Sequence, residues 1–334
     1  MKKYIPDYYK KFQCIAGECK DNCCIGWDIM IDPYSYEKYQ KVTTPFKERL
    51  EKGVCHGEEP QFLMDKEKRC FFLNQKNLCD IYIELGEDAL CEICTQHPRF
   101  HNEYGHIRQS GLGLACEYAA HLILEESNMN ILEEIIEEDD SEIDEWSQEL
   151  MQIEMKLLKM SEDKEYPIED RINKIFDVTI CCQEQLNLTG ELSSNLKRQK
   201  IRSHHILEKM SQKDYITYWF EFYADLEYMD ESFQKLLNDA KNESQIKFKE
   251  HSIYIERLIH YFIYRHFIKS YDDDNLIDKI KFAVLSALII VQIYQYCVNN
   301  HISYTIEDIA KMYSKEFEYS QENIDAIFEE LLFD

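Results

Sequence analysis

The sequence has 334 residues, 45% apolar and 13% aromatic, which is enough for one large or two modest cores. Its net charge of −26 repels phosphate backbones and excludes a general nucleic-acid binder. The longest purely apolar runs, residues 282–285 and 287–291, fall far short of the roughly 18–20 residues that cross a bilayer, so no membrane span is expected. The first ten residues lack the apolar stretch of a secretory leader, and a cytoplasmic protein is expected. The charge is uneven: residues 1–116 sum to −2, residues 117–150 carry thirteen acids and no Lys or Arg, and residues 151–334 sum to −11.

Glycine, proline and cysteine all concentrate at one end. Eight of nine glycines, five of six prolines and ten of thirteen cysteines precede residue 117. Helix breakers at that density predict an irregular, turn-rich module over 1–116, followed by a helical domain over 117–334. Such a module builds little core unaided, and metal ligation is the usual remedy.

In chain order, Gly26-Trp27-Asp28-Ile29-Met30-Ile31-Asp32 alternates and reads as a short strand. A β-hairpin is predicted over 69–83, with Cys70 and Cys79 on opposite arms of the turn Gln75-Lys76-Asn77. The acidic stretch 133–145 reads as a linker or a solvated helix face, and the basic run 197–202 as a solvated face. Ile255, Leu258, Ile259, Phe262 and Ile263 follow i, i+3, i+4, i+7, i+8 spacing, one apolar face of a helix. Thr305-Ile306-Glu307-Asp308 has the form of a helix start, and residues 323–333 make a last short helix. The fold expected is therefore mainly α, with an irregular Cys-rich module packed on a helical C-terminal domain.

The chemistry lies in the cysteines. Cys14, Cys19, Cys23 and Cys24 form one group, Cys70 and Cys79 flank the predicted turn, Cys91 and Cys94 have knuckle spacing, and Cys116 closes the series. An odd number of clustered thiols in a reducing compartment points to metal or redox work rather than disulfides. Iron–sulfur ligation, zinc ligation and redox-labile thiols are all consistent with these spacings. Adjacent Cys23 and Cys24 do not easily aim both sulfurs at one zinc, whereas a larger cluster or two sites uses both. Cys55 fits no spacing. Cys181, Cys182 and Cys297 fall in helical stretches and read as small buried hydrophobes.

These residues resemble a known family. The run from Cys14 to Trp27 with Ile29-Met30-Ile31-Asp32, then Cys70-Phe71-Phe72-Leu73, Leu78-Cys79-Asp80-Ile81-Tyr82, Leu85-Gly86-Glu87, Cys91-x2-Cys94 and Pro98-Arg99, is similar to the flagellin lysine-N-methylase family. So are Leu112-Gly113-Leu114-Ala115-Cys116-Glu117, Tyr264-Arg265-His266-Phe267 and Tyr313-Ser314-Lys315-Glu316. The N-terminal cysteines alone are also similar to CxxCxxCC zinc- or iron-chelating domains. The chain departs from the family pattern at His97, where Tyr is usual, and at Glu117, where Pro often follows the last cysteine. The resemblance implies methyl transfer from S-adenosylmethionine to surface lysines of flagellin, with a [4Fe–4S] cluster required. No Gly-rich nucleotide loop follows a strand, which agrees with an unfamiliar donor site. Arg265 is the candidate for the donor carboxylate and His266 for proton transfer, against a default of a satisfied core histidine. His97-Pro98-Arg99 is a candidate for hydrogen bonds to a cluster sulfur. A non-catalytic zinc or iron chelator and an iron–sulfur redox protein are the alternative functions.

Overall fold

The computed structural model describes residues 1–57, 59–126, 129–135, 144–194 and 206–333. The basic run 197–202 and residues 136–143 of the acidic stretch lie outside these.

The glycine- and proline-rich part folds as short pieces joined by turns. Strand β1 (Lys2–Pro6) is followed by helix α1 (Pro33–Gln40), which opens on Pro33 with the Asp32 carboxylate accepting the Ser35 N–H at 2.9 Å. Helix α2 (Lys47–Gly53) leads into two-residue strands β2 (Val54–Cys55) and β3 (Gln61–Phe62), paired antiparallel. Helices α3 (Asp80–Leu85) and α4 (Glu92–Gln96) each begin directly after a cysteine, Cys79 and Cys91. Strands β4 (Arg99–Tyr104) and β5 (Ile107–Leu112) form a hairpin whose turn holds Gly105 at φ +53°. Helix α5 (Glu117–His121) and strand β6 (Ile131–Ile135) complete this part.

A four-stranded sheet of order β4-β5-β1-β6 results, which no local pattern in the sequence signals. β1 pairs in parallel with β5, Lys2 opposite Ile107, and antiparallel with β6, Tyr4 opposite Glu133. The acidic stretch thus begins as an edge strand, where Glu133 pairs with Lys2 at 2.8 Å and Glu134 pairs with Lys10.

The remainder is helical: α6 (Glu145–Ser161), α7 (Ile168–Thr189), α8 (Ile206–Met210), α9 (Lys213–Ala224), α10 (Glu231–Ala240), α11 (Phe248–His266), α12 (Ser270–Asp273), α13 (Leu276–Asn299), α14 (Ile306–Tyr313) and α15 (Gln321–Leu331). α13 is apolar around nearly its whole circumference and occupies the centre, with α11, α7, α10, α14 and α15 packed about it. The apolar stripe read at 255–263 is buried on α11, and Thr305 and Asp308 form a complete capping box for α14. Among the described residues, no helix is long and apolar enough to cross a membrane.

Buried side chains separate into two clusters. The large one lies among the helices and takes in Ile107 and Leu112 of the sheet. The small one is built from Ile29, Ile31, Tyr39, Phe62, Phe72 and Ile81, with Cys70 and Cys91 inside it and Cys24, Cys79 and Cys94 at its edge.

Two local expectations are corrected. Cys70 and Cys79 each close a turn of their own, by single bridges from Met64 to Cys70 around 65–69 and from Leu73 to Cys79 around 74–78, but no hairpin spans 69–83. The second arm is α3: Asp80 sits in its first turn, where a carboxylate favours the helix dipole, and is held by Arg49 at 2.5 Å and Asn74 at 2.9 Å. Only Ile81 of that arm is buried, whereas Tyr82 and Ile83 face solvent. Residues 26–32 keep their alternation, with Ile29 and Ile31 buried and Met30 exposed, but make one isolated bridge, Met30 to Gln61, rather than a strand.

Phe72 packs edge-to-face against Phe62 and Phe71 and tilted against Phe46 in the small cluster. Phe72→Ala is expected to cost about 3–5 kcal/mol and to raise amide exchange over residues 29–91 while α11 and α13 stay protected. Equal deprotection of α13 would show that the two clusters unfold as one unit.

Candidate functional site

The nine N-terminal cysteines lie in two neighbourhoods. Cys24, Cys70, Cys79, Cys91 and Cys94 surround the small core, with the Cys91 and Cys94 sulfurs 3.3 Å apart and the Cys70 N–H bonded to the Cys24 carbonyl at 2.8 Å. Cys14 and Cys23 are exposed, Cys19 and Cys116 half-buried, and none of these four belongs to that core. The Cys19 Sγ lies 3.6 Å from a carboxylate oxygen of Glu117, the residue after Cys116, and the same oxygen accepts the Lys20 N–H at 2.8 Å. Burial pushes the Cys70 and Cys116 thiols up to about 11 and the Cys19 thiol up to about 12. Of the remaining cysteines, Cys55 is exposed, Cys181 half-buried, and Cys182 and Cys297 buried as small hydrophobes.

The cysteine loop is tied to the helices by charge. Asp21, between Cys19 and Cys23, accepts Lys315 Nζ at 3.0 Å and faces Lys311 Nζ at 3.5 Å. Beside this tie, Trp27, His97 and Tyr319 pack as three mutually touching rings, with centroids 5.5–6.2 Å apart, and the Lys315 ammonium stands 5.7 Å from the Trp27 ring. The Nε2 atom of His97 is buried without a hydrogen-bond partner among the described residues. Burial, with Lys315 and Arg265 nearby, lowers the His97 imidazole to about 4, so it is neutral near pH 7.

Beneath the rings lies a buried ionic network. After α14 the chain makes one π-helical turn (Ser314–Glu318), and such turns re-aim side chains relative to an α-helix. It points Glu316 at the N–H groups of Met229 and Asp230, at 2.8 and 3.1 Å, and sends Glu318 into the core. Glu318 receives Arg265 Nε at 3.2 Å, His266 Nε2 at 2.7 Å and the Tyr261 hydroxyl at 3.1 Å. Burial alone would raise the Glu318 carboxyl, but the Arg265 charge and the His266 hydrogen bond outweigh it and hold it at about 2. Desolvation lowers His266 to about 3, leaving it neutral with Nε2–H donated to Glu318. Arg265 also donates to the Tyr261 hydroxyl at 2.6 Å and lies 4.8 Å from the Tyr319 ring. Gly113 passes so close that any side chain there would strike the Tyr319 hydroxyl and the Arg265 guanidinium. The Leu114 N–H meets the Tyr261 hydroxyl at 3.2 Å, and Cys116 follows two residues on.

Of the proposed ligands, Cys116 lies two residues beyond Leu114, whose N–H meets the Tyr261 hydroxyl of the Arg265 network, and Cys19 approaches Glu117 beside it, while five other thiols surround a separate core. Thiolates suit a thiophilic metal, and the Cys91–Cys94 separation approaches the roughly 3.8 Å of a tetrahedral zinc site. Among the described residues, no three His, Cys, Asp or Glu side chains converge closely enough to hold a single ion as they stand. Sequence reasoning missed Glu318, Tyr261 and Tyr319. The Tyr313-Ser314-Lys315-Glu316 block pointed to the right segment, but the π turn that aims it has no sequence period.

Removing the anion should expose its importance. Glu318→Gln leaves the Arg265 cation buried without its counter-charge and is expected to cost about 3–5 kcal/mol in denaturant unfolding. Both groups have folded values below their ordinary ones, 4.5 for the carboxyl and 6.5 for the imidazole. Their stabilisation is present above about pH 6.5 and drains as pH falls towards 2. An unfolding free energy equal to wild type would contradict this.

Several comparisons bear on identity. Residues 107–334, from the start of β5 onward, match the model of the FliB lysine N-methylase C-terminal domain. Over 137 residues, 39% of the chain, it is 29% identical to a lysine-N-methylase of Salmonella typhimurium and to one of Salmonella choleraesuis, covering 34% of each. Over the same length it is 29% identical to the flagellar biosynthetic protein FliU of Salmonella muenchen, covering 80% of that protein. The matched stretch is thus about a third of the length of the two curated lysine-N-methylases. No solved structure matches. With the family's C-terminal domain spanning more than half of its length, the chain belongs to the FliB lysine N-methylase family.

Proposed function

We propose that this protein methylates surface lysines of flagellin, using S-adenosylmethionine as donor and an iron–sulfur cluster held by the N-terminal cysteines. The family match over 107–334 carries this reading, and the names of its relatives, lysine-N-methylase and flagellar biosynthetic protein, suggest reaction and substrate. In the transfer, the lysine nitrogen forms a bond to the donor methyl carbon while the sulfonium–carbon bond breaks. The electron pair stays on sulfur, and a proton leaves the amine. A lysine ammonium, with a pKa near 10.4, must lose that proton before it attacks.

The roles assigned to this chain follow from the seam between cysteines and helices. Trp27, His97 and Tyr319 offer π-faces to a cation, and the ammonium of Lys315 already stands beside one of them. Neutral His97, with a ring nitrogen left unpartnered, is assigned to accept a hydrogen bond from the amine and orient it, the ammonium proton passing to solvent before transfer. Arg265, held rigid by Glu318, Tyr261 and Gly113, is assigned to position the donor beside Tyr319. His266 is already engaged with Glu318 and acts here by fixing that carboxylate. Cys14, Cys19, Cys23, Cys24, Cys70, Cys79, Cys91, Cys94 and Cys116 are the pool of thiols from which a cluster, proposed to be [4Fe–4S], would draw its ligands, about four in number. When bound it supplies redox activity or an open iron coordination position.

The charge distribution fits a cationic, repetitive target. Residues 117–334 carry −24 of the net charge, which steers lysine-bearing surfaces by attraction that weakens as the Debye length shrinks to about 8 Å at physiological salt. Protein purified without oxygen is expected to label several exposed flagellin lysines from methyl-labelled donor, more slowly as salt rises. Mass spectrometry of the product checks this. Absence of label under every reducing condition would remove the methylase reading and favour a metal chelator.

A further inference from the structure

We propose that the nine N-terminal thiols serve two metal centres, parted between the adjacent residues Cys23 and Cys24. Cys24, Cys70, Cys79, Cys91 and Cys94 serve an enclosed centre, and Cys14, Cys19, Cys23 and Cys116 serve an open one. The inference rests on the reading above that these cysteines bind a thiophilic metal.

Three observations carry it. The first is packing: the five thiols of the enclosed group all belong to or border the small aromatic core, and none of the other four does. Cys116 instead packs against the helical core. The second is connectivity. Cys24 is joined to Cys70 through the backbone at 2.8 Å, Cys70 leads through the Leu73 bridge to Cys79, and Cys91 touches Cys94. On the other side, Cys19 reaches Glu117, next to Cys116, and Asp21 fixes the loop between Cys19 and Cys23 to Lys315. Cys23 and Cys24 are neighbours in the chain and their thiols hydrogen-bond to each other, so the two sets meet here, yet one is exposed and the other borders the core. The third is number: a tetrahedral zinc or a cubane iron–sulfur cluster takes about four thiolates. One centre would leave most of the nine unused, whereas sets of four and five each satisfy one.

The two centres have different surroundings and so different tasks. Cys91 is fully buried and Cys70 nearly so, which is the setting of a closed, structural site. Cys14 and Cys23 are exposed, and the Cys23 carbonyl accepts the Trp27 indole N–H at 2.6 Å, at the seam that holds Tyr319 and Arg265. The open centre is therefore the one that faces the proposed transfer site, and the enclosed one holds the small core together.

Metal and acid-labile sulfide per chain, measured on full-length protein purified without oxygen, test the division. Cys14→Ser/Cys23→Ser is expected to lose part of the metal and keep the wild-type circular dichroism and melting point, since it leaves the small core intact. Cys24→Ser/Cys91→Ser is expected to lose the complementary part or, if the small core unfolds, all of it. The outer pair therefore decides. Loss of all metal from the outer pair would prove a shared single centre, and retention of all of it would remove the outer thiols from ligation. Either result overturns the division while leaving the metal reading intact. Wild-type protein without metal removes that reading and the division with it. Sulfide at parity with iron identifies iron–sulfur centres, and zinc without sulfide identifies two zinc sites, both in keeping with the division.

Discussion

One buried carboxylate organises the seam of this protein. Glu318 sits at the end of a π-helical turn with no exposure to solvent, where an unpaired charge would cost several kcal/mol. It is kept ionised by Arg265 and by hydrogen bonds from His266 and Tyr261. Those partners come from α11, so the anion locks the C-terminal turn to the helix whose apolar face builds the main core. Arg265 in turn approaches Gly113 and Tyr319, and Tyr261 meets the Leu114 backbone. Through Gly113 and Leu114 the network fixes the strand end that leads to Cys116. The cysteine-rich part is thus joined to the helices at a site whose geometry is set by charge rather than by apolar contact alone.

A second tie, largely buried, works differently. Asp21 reaches Lys311 and Lys315, whose side chains are only 7% and 18% exposed. Ion pairs so sheltered are screened less than surface ones, and this one orients the loop that carries Cys19 and Cys23. The small aromatic core supports the other thiols. It is made of few side chains, and metal ligation of the proposed kind would add the stability that so small a cluster lacks. Because burial keeps Cys19, Cys70 and Cys116 protonated, loading a metal there would release protons.

Much of this was legible in the sequence because its signals are local. The i, i+3, i+4 stripe of α11 and the Thr305 cap are periodic or short-range, and the structure contains both. The change of texture at residue 117 reflects where glycine, proline and cysteine run out. The failures are of two kinds. At 78–83, β-branched and aromatic residues imitate a strand, but Asp80 at a helix start decides the conformation instead. The sheet joins Lys2 to Ile107 and Tyr4 to Glu133, pairings about a hundred residues apart that no window of sequence reveals. Glu318 was missed for a related reason. Continued α-helical phase from α14 would not bring both Glu316 and Glu318 inward, and the π turn that does so breaks the period being read.

The central claim is that methyl donor and acceptor meet where the cysteine loop, the Gly113 strand end and the Glu318 network converge. Ultraviolet cross-linking of labelled S-adenosylmethionine to the full-length protein, followed by peptide mapping, tests it most directly. Label is expected in peptides carrying Trp27, residues 97–116, 261–266 or 313–319. Label confined to a distant region, such as the surface hollow of Tyr215, Tyr218 and Phe333, would contradict the account.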